Sequence, residues 1–243
     1  MRSKISVMVA VIAIIFSSCE KDRSEENGQI PGAATNIINP GGGSGGGAAN
    51  NAGCKDCIYY PVCSPSVYKY ADTGLGSPTG SVNSYTLTYV KDTALDSKTY
   101  KKFSITGQGP TFFNCSAGVS TSIILGGTTQ NGNTVSYAKV TVLKENAPVN
   151  TSWVDSLTTS GQTALYTYTI VSKGLPRTVA GINYADVIYV HEQTTINLMG
   201  TTIPAGQSEY YYAKGIGLIE SISFDDFTGT QLLHHVLISA TIP

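Results

Sequence analysis

Charge is scarce in this chain. Asp, Glu, Lys and Arg make up 13% of its 243 residues, about half the roughly 25% usual in globular proteins. Tryptophan occurs once, as Trp153, and histidine three times. Each shortage excludes something. A formal net charge of −1 gives no electrostatic footprint for nucleic acid and no polybasic patch for anionic lipid. The longest apolar run, Ile5 to Phe16, falls short of the about 20 residues a membrane-spanning helix needs. Apolar periodicity of 3.6 residues is missing throughout, apart from a short helical turn expected near Asn150–Leu157. This argues against a helical or mixed α/β fold. The one G-x-S-x-G match, Gly42–Gly46, lies inside a glycine run without the strand-to-helix setting of a nucleophile elbow, and no H-E-x-x-H and no phosphate loop is present. The chain therefore reads as a non-enzyme, with no cofactor or metal.

What is present begins at the N-terminus. Met1-Arg-Ser-Lys4 is a short basic start, the apolar run follows, and Ser17-Ser18 puts small residues before Cys19. This is the layout of a secretory signal peptide. It resembles a bacterial lipoprotein signal, in which the cysteine is acylated and becomes the first mature residue. Residues 1–18 are then the signal and Cys19 the lipidation site, with an ordinary secretory signal as the alternative. The mature chain keeps 13 Lys and Arg against 16 Asp and Glu, a formal charge of −3.

Residues 19–53 read as a flexible tether. Glu20 to Glu26 is a charged run, either a solvated linker or a sorting signal resembling those of surface-exported Bacteroidota lipoproteins. The Gly41–Gly47 stretch and its Asn/Ala surroundings cannot bury enough surface to order themselves. Such a chain has a reach of roughly 30–35 Å, enough to hold a domain clear of a membrane.

Residues 54–243 read as one β-rich globular domain. Fifteen tyrosines against six phenylalanines suit half-buried strands, where the ring packs and the hydroxyl reaches water. Tyr85 to Val90 alternates by twos, with Tyr85, Leu87 and Tyr89 on one face. Further strands are expected at Phe103–Ile105, Thr121–Leu125, Tyr137–Leu143, Tyr166–Val171, Val187–His191, Tyr210–Ala213, Ile216–Phe224 and Leu232–Ile242. On the strand from Ile216, the even positions Ile216, Leu218, Ile222 and Phe224 form the apolar face, with Glu220 the exception. The expected fold class is all-β: a single curved antiparallel sheet or half-barrel of about 9–11 strands.

Four cysteines remain in the domain: Cys54, Cys57, Cys63 and Cys115. In an exported chain an even number points to two disulfides, with connectivity open. A zinc site from all four, or a redox pair at Cys54/Cys57, are alternatives that the spacing supports less well. His234 and His235 are strand neighbours and point to opposite faces. His191 precedes Glu192. Asp225-Asp226 reads as a turn. Asp186, Glu192, Glu209 and Glu220 are carboxylates without a pattern that pairs them. Asp92-Thr93-Ala94 and Asp155-Ser156-Leu157 resemble the O-glycosylation triplet of exported Bacteroidota proteins, which makes Thr93 and Ser156 glycosylation candidates.

One segment carries a wider resemblance. Tyr210-Tyr-Tyr-Ala-Lys-Gly-Ile-Gly-Leu-Ile219 follows a strand reading Ile182-Asn-Tyr-Ala-Asp-Val-Ile-Tyr-Val190. With Cys54-Lys-Asp-Cys-Ile-Tyr-Tyr-Pro-Val-Cys63, it resembles a family of hypothetical Bacteroidota lipoproteins. The resemblance implies a curved antiparallel half-barrel, as in lipid-binding lipoproteins, and no activity. It makes Lys214 and Tyr212 secondary candidates for ligand contact.

The expected function is a lipid-anchored outer-membrane lipoprotein acting as a non-catalytic binding or interaction module. Its partners would be the membrane, through the lipid, and an apolar small molecule or an envelope protein. Trp153, Tyr166, Tyr168 and Tyr212 are the expected ligand contacts, on a concave face. The alternatives are a structural accessory subunit of a surface complex, which predicts a filled core, and a hydrolase built on scattered carboxylates and His191.

Overall fold

The computed structural model describes residues 56–74, 82–95, 97–107, 109–124, 127–128, 134–135, 138–159, 162–198 and 201–243. The signal, Cys19, the tether and Cys54 lie outside the described residues.

Every regular element among the described residues is a strand. They are β1 Val67–Gly74, β2 Val82–Leu95, β3 Lys98–Ile105, β4 Thr111–Ser116, β5 Val119–Ile124, β6 Gly127–Thr128, β7 Thr134–Val135, β8 Ala138–Lys144, β9 Ser152–Thr159, β10 Gln162–Val179, β11 Ile182–Leu198, β12 Thr201–Ala213, β13 Gly217–Phe224 and β14 Gln231–Thr241. They form one antiparallel sheet in the order β6-β7-β9-β10-β11-β12-β13-β14-β1-β2-β3-β4-β5-β8. The sheet curls until β8 lies beside β9, a nearly closed barrel. The all-β expectation holds, with β1, β4, β6, β7 and β9 added to the strands the sequence pattern marks.

The helical turn expected near Asn150–Leu157 is corrected. Ser152–Thr159 pairs along its whole length with β10, from Ser152↔Thr169 to Thr159↔Gln162. Trp153 and Leu157 are buried while Val154 and Ser156 are exposed. That is a period of two, which fits a half-buried strand and not a helix. The alternation expected from Ile216 is also interrupted. A bulge shifts the β12–β13 register, so that Tyr211 pairs with Glu220 and Tyr212 with Leu218. Ile219, the extra residue, is fully buried; such an insertion locally re-aims side chains. The last strand, β14, lies inside the sheet between β13 and β1.

Paired residues share a face. Tyr70 opposes Tyr85 and Tyr68 opposes Leu87, while Tyr89 opposes Phe103. These rings pack with Phe113 in the largest core cluster. A second cluster joins Leu143, Trp153, Tyr168, Ile170, Ile188, Val190 and Tyr212. Tyr60, in the segment that precedes β1, packs against both clusters. Its ring meets Phe113 edge-on at 5.4 Å and Tyr212 at 5.7 Å. Edge-on packing of this kind favours aromatic pairs beyond the area they bury.

Candidate functional site

The interior is the place where sequence-expected ligand contacts gather, and it is filled. Trp153, Tyr168 and Tyr212 are buried in one cluster, with Tyr166 and Tyr210 packed against it. Trp153 stacks on Tyr168 at 5.4 Å and donates its indole N–H to the Thr141 carbonyl at 2.8 Å. The Tyr212 hydroxyl donates to the Val142 carbonyl at 3.3 Å. The cavity bordered by Tyr60, Tyr68, Tyr70, Phe103 and Phe113 is only about 10 Å³, about one water-sized probe. Burial drives the Tyr60, Tyr70, Tyr168 and Tyr210 hydroxyls well above the ordinary phenol value.

Among these rings sits a buried carboxylate, Glu192. It accepts from Tyr210 Oη at 2.9 Å and Thr194 Oγ1 at 3.0 Å. Its pKa is raised: burial disfavours the anion, and the bonds from Tyr210, Thr194 and Tyr168 offset this only in part. Glu145, also buried, has a different task. It accepts the backbone N–H of Ile58 at 3.0 Å and of Tyr59 at 2.8 Å. The Tyr59 hydroxyl donates to Asp186 at 2.6 Å, and Gly215 N–H donates to the Ile58 carbonyl at 2.7 Å. Neither role was visible in the sequence. The only signal was a pair of tyrosines inside a cysteine-bounded segment, and nothing marked its partners on distant strands.

The cysteines settle part of the connectivity. Cys57 is bonded to Cys115, with Cα atoms 6.0 Å apart and a sequence separation of 58. Cys63 is disulfide-bonded as well. These bonds exclude the four-cysteine zinc site and a free Cys54/Cys57 redox pair, because a cystine sulfur offers no thiolate. The Cys57–Cys115 bond borders a groove of about 250 Å³, lined by Asp56, Tyr60, Lys101 and Asn114 among others.

The histidines take separate faces, as strand geometry requires. His235 is buried. It bonds through Nδ1 to Asp72, accepts or donates at Nε2 with Tyr85 Oη at 2.9 Å, and stacks on Tyr70 at 4.3 Å. His234 points the other way, to Glu220 Oε1 at 2.7 Å. Glu220 is also paired with Arg177, whose guanidinium lies 3.3 Å over the Tyr211 ring. Burial pushes the Glu220 carboxyl up, but His234 and Arg177 together hold it below its ordinary value. His191 contacts Gln207 at 3.2 Å. Among the described residues no group of three metal-ligating side chains converges.

The remaining expected residues are dispersed. Lys214 pairs with Asp186 at 3.3 Å. Asp225 caps its own turn, accepting from Thr228 N–H and Phe227 N–H at 2.8 and 3.1 Å. Ser156 is exposed. Thr93 differs: its Oγ1 is buried without a hydrogen-bond partner, so a glycan there would require the strand to open locally.

No family model and no curated protein matches the chain. Solved structures do. A candidate lipoprotein from Parabacteroides distasonis aligns with a TM-score of 0.51 at 11% identity, covering 77% of this chain and 100% of that one. A candidate exported protein from Bacteroides fragilis, described as having a YmcC-like fold, gives a TM-score of 0.47 at 11% identity over 76% of this chain. The hypothetical lipoprotein YmcC from Escherichia coli gives 0.36 at 10% identity. The first of these shows the class to which the sheet belongs: an antiparallel fold shared with a candidate lipoprotein. At such identity it carries the fold alone.

Proposed function

We infer that the chain is a lipid-anchored cell-envelope protein of the outer membrane whose β domain is a non-catalytic interaction module that works through its outer surface, as the accessory-subunit alternative with its filled core expects. The observation that carries this is the filled interior. Tyr60, Tyr68, Tyr70, Phe103 and Phe113 leave only about 10 Å³ between them, so a partner is met by the surface of the domain. The clamp of Glu145 on Ile58 and Tyr59 supports the tethered reading, because it fastens to the sheet the segment that follows the linker.

A second reading, an apolar ligand held inside, is favoured by the convergence of Trp153, Tyr166, Tyr168 and Tyr212 in one cluster. Native mass spectrometry with lipid extraction on the full chain separates the two. The interaction module predicts a clean protein mass, together with discrete cross-linked adducts when photo-reactive residues are placed on the outer surface in the intact envelope. A stoichiometric apolar molecule in the native mass would sink it. Anchoring is tested by fractionation: Cys19→Ala should move the protein from the membrane fraction to the soluble fraction. Retention of that variant in the membrane would contradict the lipid anchor.

A further inference from the structure

Of the junctions between neighbouring long strands, one lacks a backbone ladder among the described residues. β8 pairs with β5 on one side; β9 pairs with β10 on one side and with β7 on the other through Val135↔Thr159; no pairing joins β8 to β9 although they lie together. Side chains hold this seam instead. Asp155 Oδ2 accepts the Thr141 N–H at 2.6 Å, and Trp153 Nε1 donates to the Thr141 carbonyl at 2.8 Å. One β9 strand thus supplies, through two side chains two residues apart, an acceptor and a donor to the same backbone unit. A neighbouring strand would supply that same pair. Further along, Tyr212 takes the Val142 carbonyl, and Lys173 Nζ takes the Glu145 and Ala147 carbonyls at 2.6 and 3.1 Å.

We propose that the β8–β9 seam is an acceptor line for an extended peptide strand of a partner protein, with Asp155 and Trp153 as the latch that the partner's backbone displaces. This rests on the interaction-module reading and names the kind of partner. The occupant follows from hydrogen-bond complementarity. The Thr141 N–H and C=O now held by side chains are the donor and acceptor that one residue of a strand edge presents, and a residue of an added strand can take both. The surface beside the seam suits such a partner. Val154 and Leu165, diagonal neighbours on β9 and β10, are 58% and 42% exposed. Around them Ser152, Ser156, Thr158, Thr163, Thr167 and Thr169 carry no charge. Alternate side chains of an added strand would cover this apolar, hydroxyl-rich strip. An apolar small molecule would gain nothing from these backbone groups.

Trp153 is the only tryptophan, so its fluorescence reports the latch directly. The test uses the full chain and a fluorescein-labelled, blocked peptide of alternating threonine and valine. Asp155→Ala should increase acrylamide quenching of Trp153 and raise amide exchange in β8 while β11–β13 stay protected. The peptide should bind this variant about tenfold more tightly than wild type, about 1.4 kcal/mol. Asp155→Asn, which keeps an acceptor, should restore wild-type behaviour. Trp153→Phe, which keeps a ring and removes only the donor, gives a second route if Asp155→Ala fails to fold. The same peptide N-methylated at alternate residues should not bind. Equal binding of the methylated peptide would overturn the proposal. So would an opened seam that ignores the peptide but takes up N-phenyl-1-naphthylamine, or an unchanged Trp153 in Asp155→Ala. If the surface cross-links in the envelope persist while the peptide fails, the interaction module stands and the seam is excluded.

Discussion

Two buried glutamates show how opposite environments set opposite pH responses. Glu192 has tyrosines and a threonine around it and, among the described residues, no cation bonded to it, His191 acting only through its charge. Its folded pKa lies above the ordinary 4.5, so the charged form is penalised as pH rises through the folded value. Glu192→Gln should therefore raise Tm at neutral pH, and the gain should vanish in acid. A Tm-against-pH series on the two proteins checks this, and a loss of Tm at pH 7 would show that the anion is the stabilising form. Glu220 has the reverse sign. Arg177 and His234 hold its folded pKa down, so it contributes stability that is present above the unfolded value and is lost as pH falls through the folded one. Glu220→Gln should destabilise at neutral pH and approach wild type in acid. The pair is partly exposed through Arg177 and His234, at 30% and 31%, so solvent screening keeps the effect modest.

The segment from Asp56 to Ser66, which precedes β1, has no regular secondary structure, yet much depends on it. Its backbone is fastened by Glu145, its ring Tyr60 fills the gap between Phe113 and Tyr212, and Cys57 ties it to β4. The Cys57–Cys115 bond closes a loop of 58 residues. In the chain-entropy model such a crosslink contributes about 4 kcal/mol by restricting the unfolded chain. A Cys57→Ala/Cys115→Ala double variant should lose roughly that much in urea unfolding at equilibrium. A loss below about 1 kcal/mol would mean that Glu145 and the aromatic packing hold the segment without the crosslink. Long β10 and β11 show a related economy of position. Register shifts between Ile170 and Arg177 bend the hairpin, and this brings Arg177 onto Tyr211 of β12 and Glu220 of β13.

Across the whole molecule, tyrosine stabilises the interior and also sets a limit to its stability. Burial raises the phenol pKa from 10.0 to about 12 at Tyr166 and Tyr184, and at Tyr189 with help from Glu209. Tyr60, Tyr70 and Tyr210 are driven higher. In the unfolded chain all of them ionise near the ordinary value. The stabilisation is complete below that value and is lost as pH climbs through the folded ones. Tyrosine absorbance at 295 nm should therefore rise in two stages: a small early phase from exposed rings, then a cooperative phase that coincides with loss of the β signal in circular dichroism. Smooth titration of all fifteen tyrosines near pH 10, with the fold intact, would show that the interior admits water.

Much of the architecture was legible in the sequence, because a period of two is a local property. Tyr85, Leu87 and Tyr89 fall on one face in any strand, and His234 and His235 on opposite faces, whatever they pair with. The shortage of charge and the tyrosine content also fixed the kind of surface and core. Asn150–Leu157 reads as a helical turn from sequence because the alternation of β9, with Trp153 and Leu157 inward, is spread over small polar residues that pair with β10. What only the tertiary structure decided depends on contacts distant along the chain. Glu145 meets Tyr59 from 86 residues away, and Glu220 lies 43 residues from Arg177. Tyr60 enters a gap whose walls come from β4 and β12. Neither the filling of the interior nor the side-chain latch between β8 and β9 has a sequence period, because both arise where the curled sheet brings its two ends together.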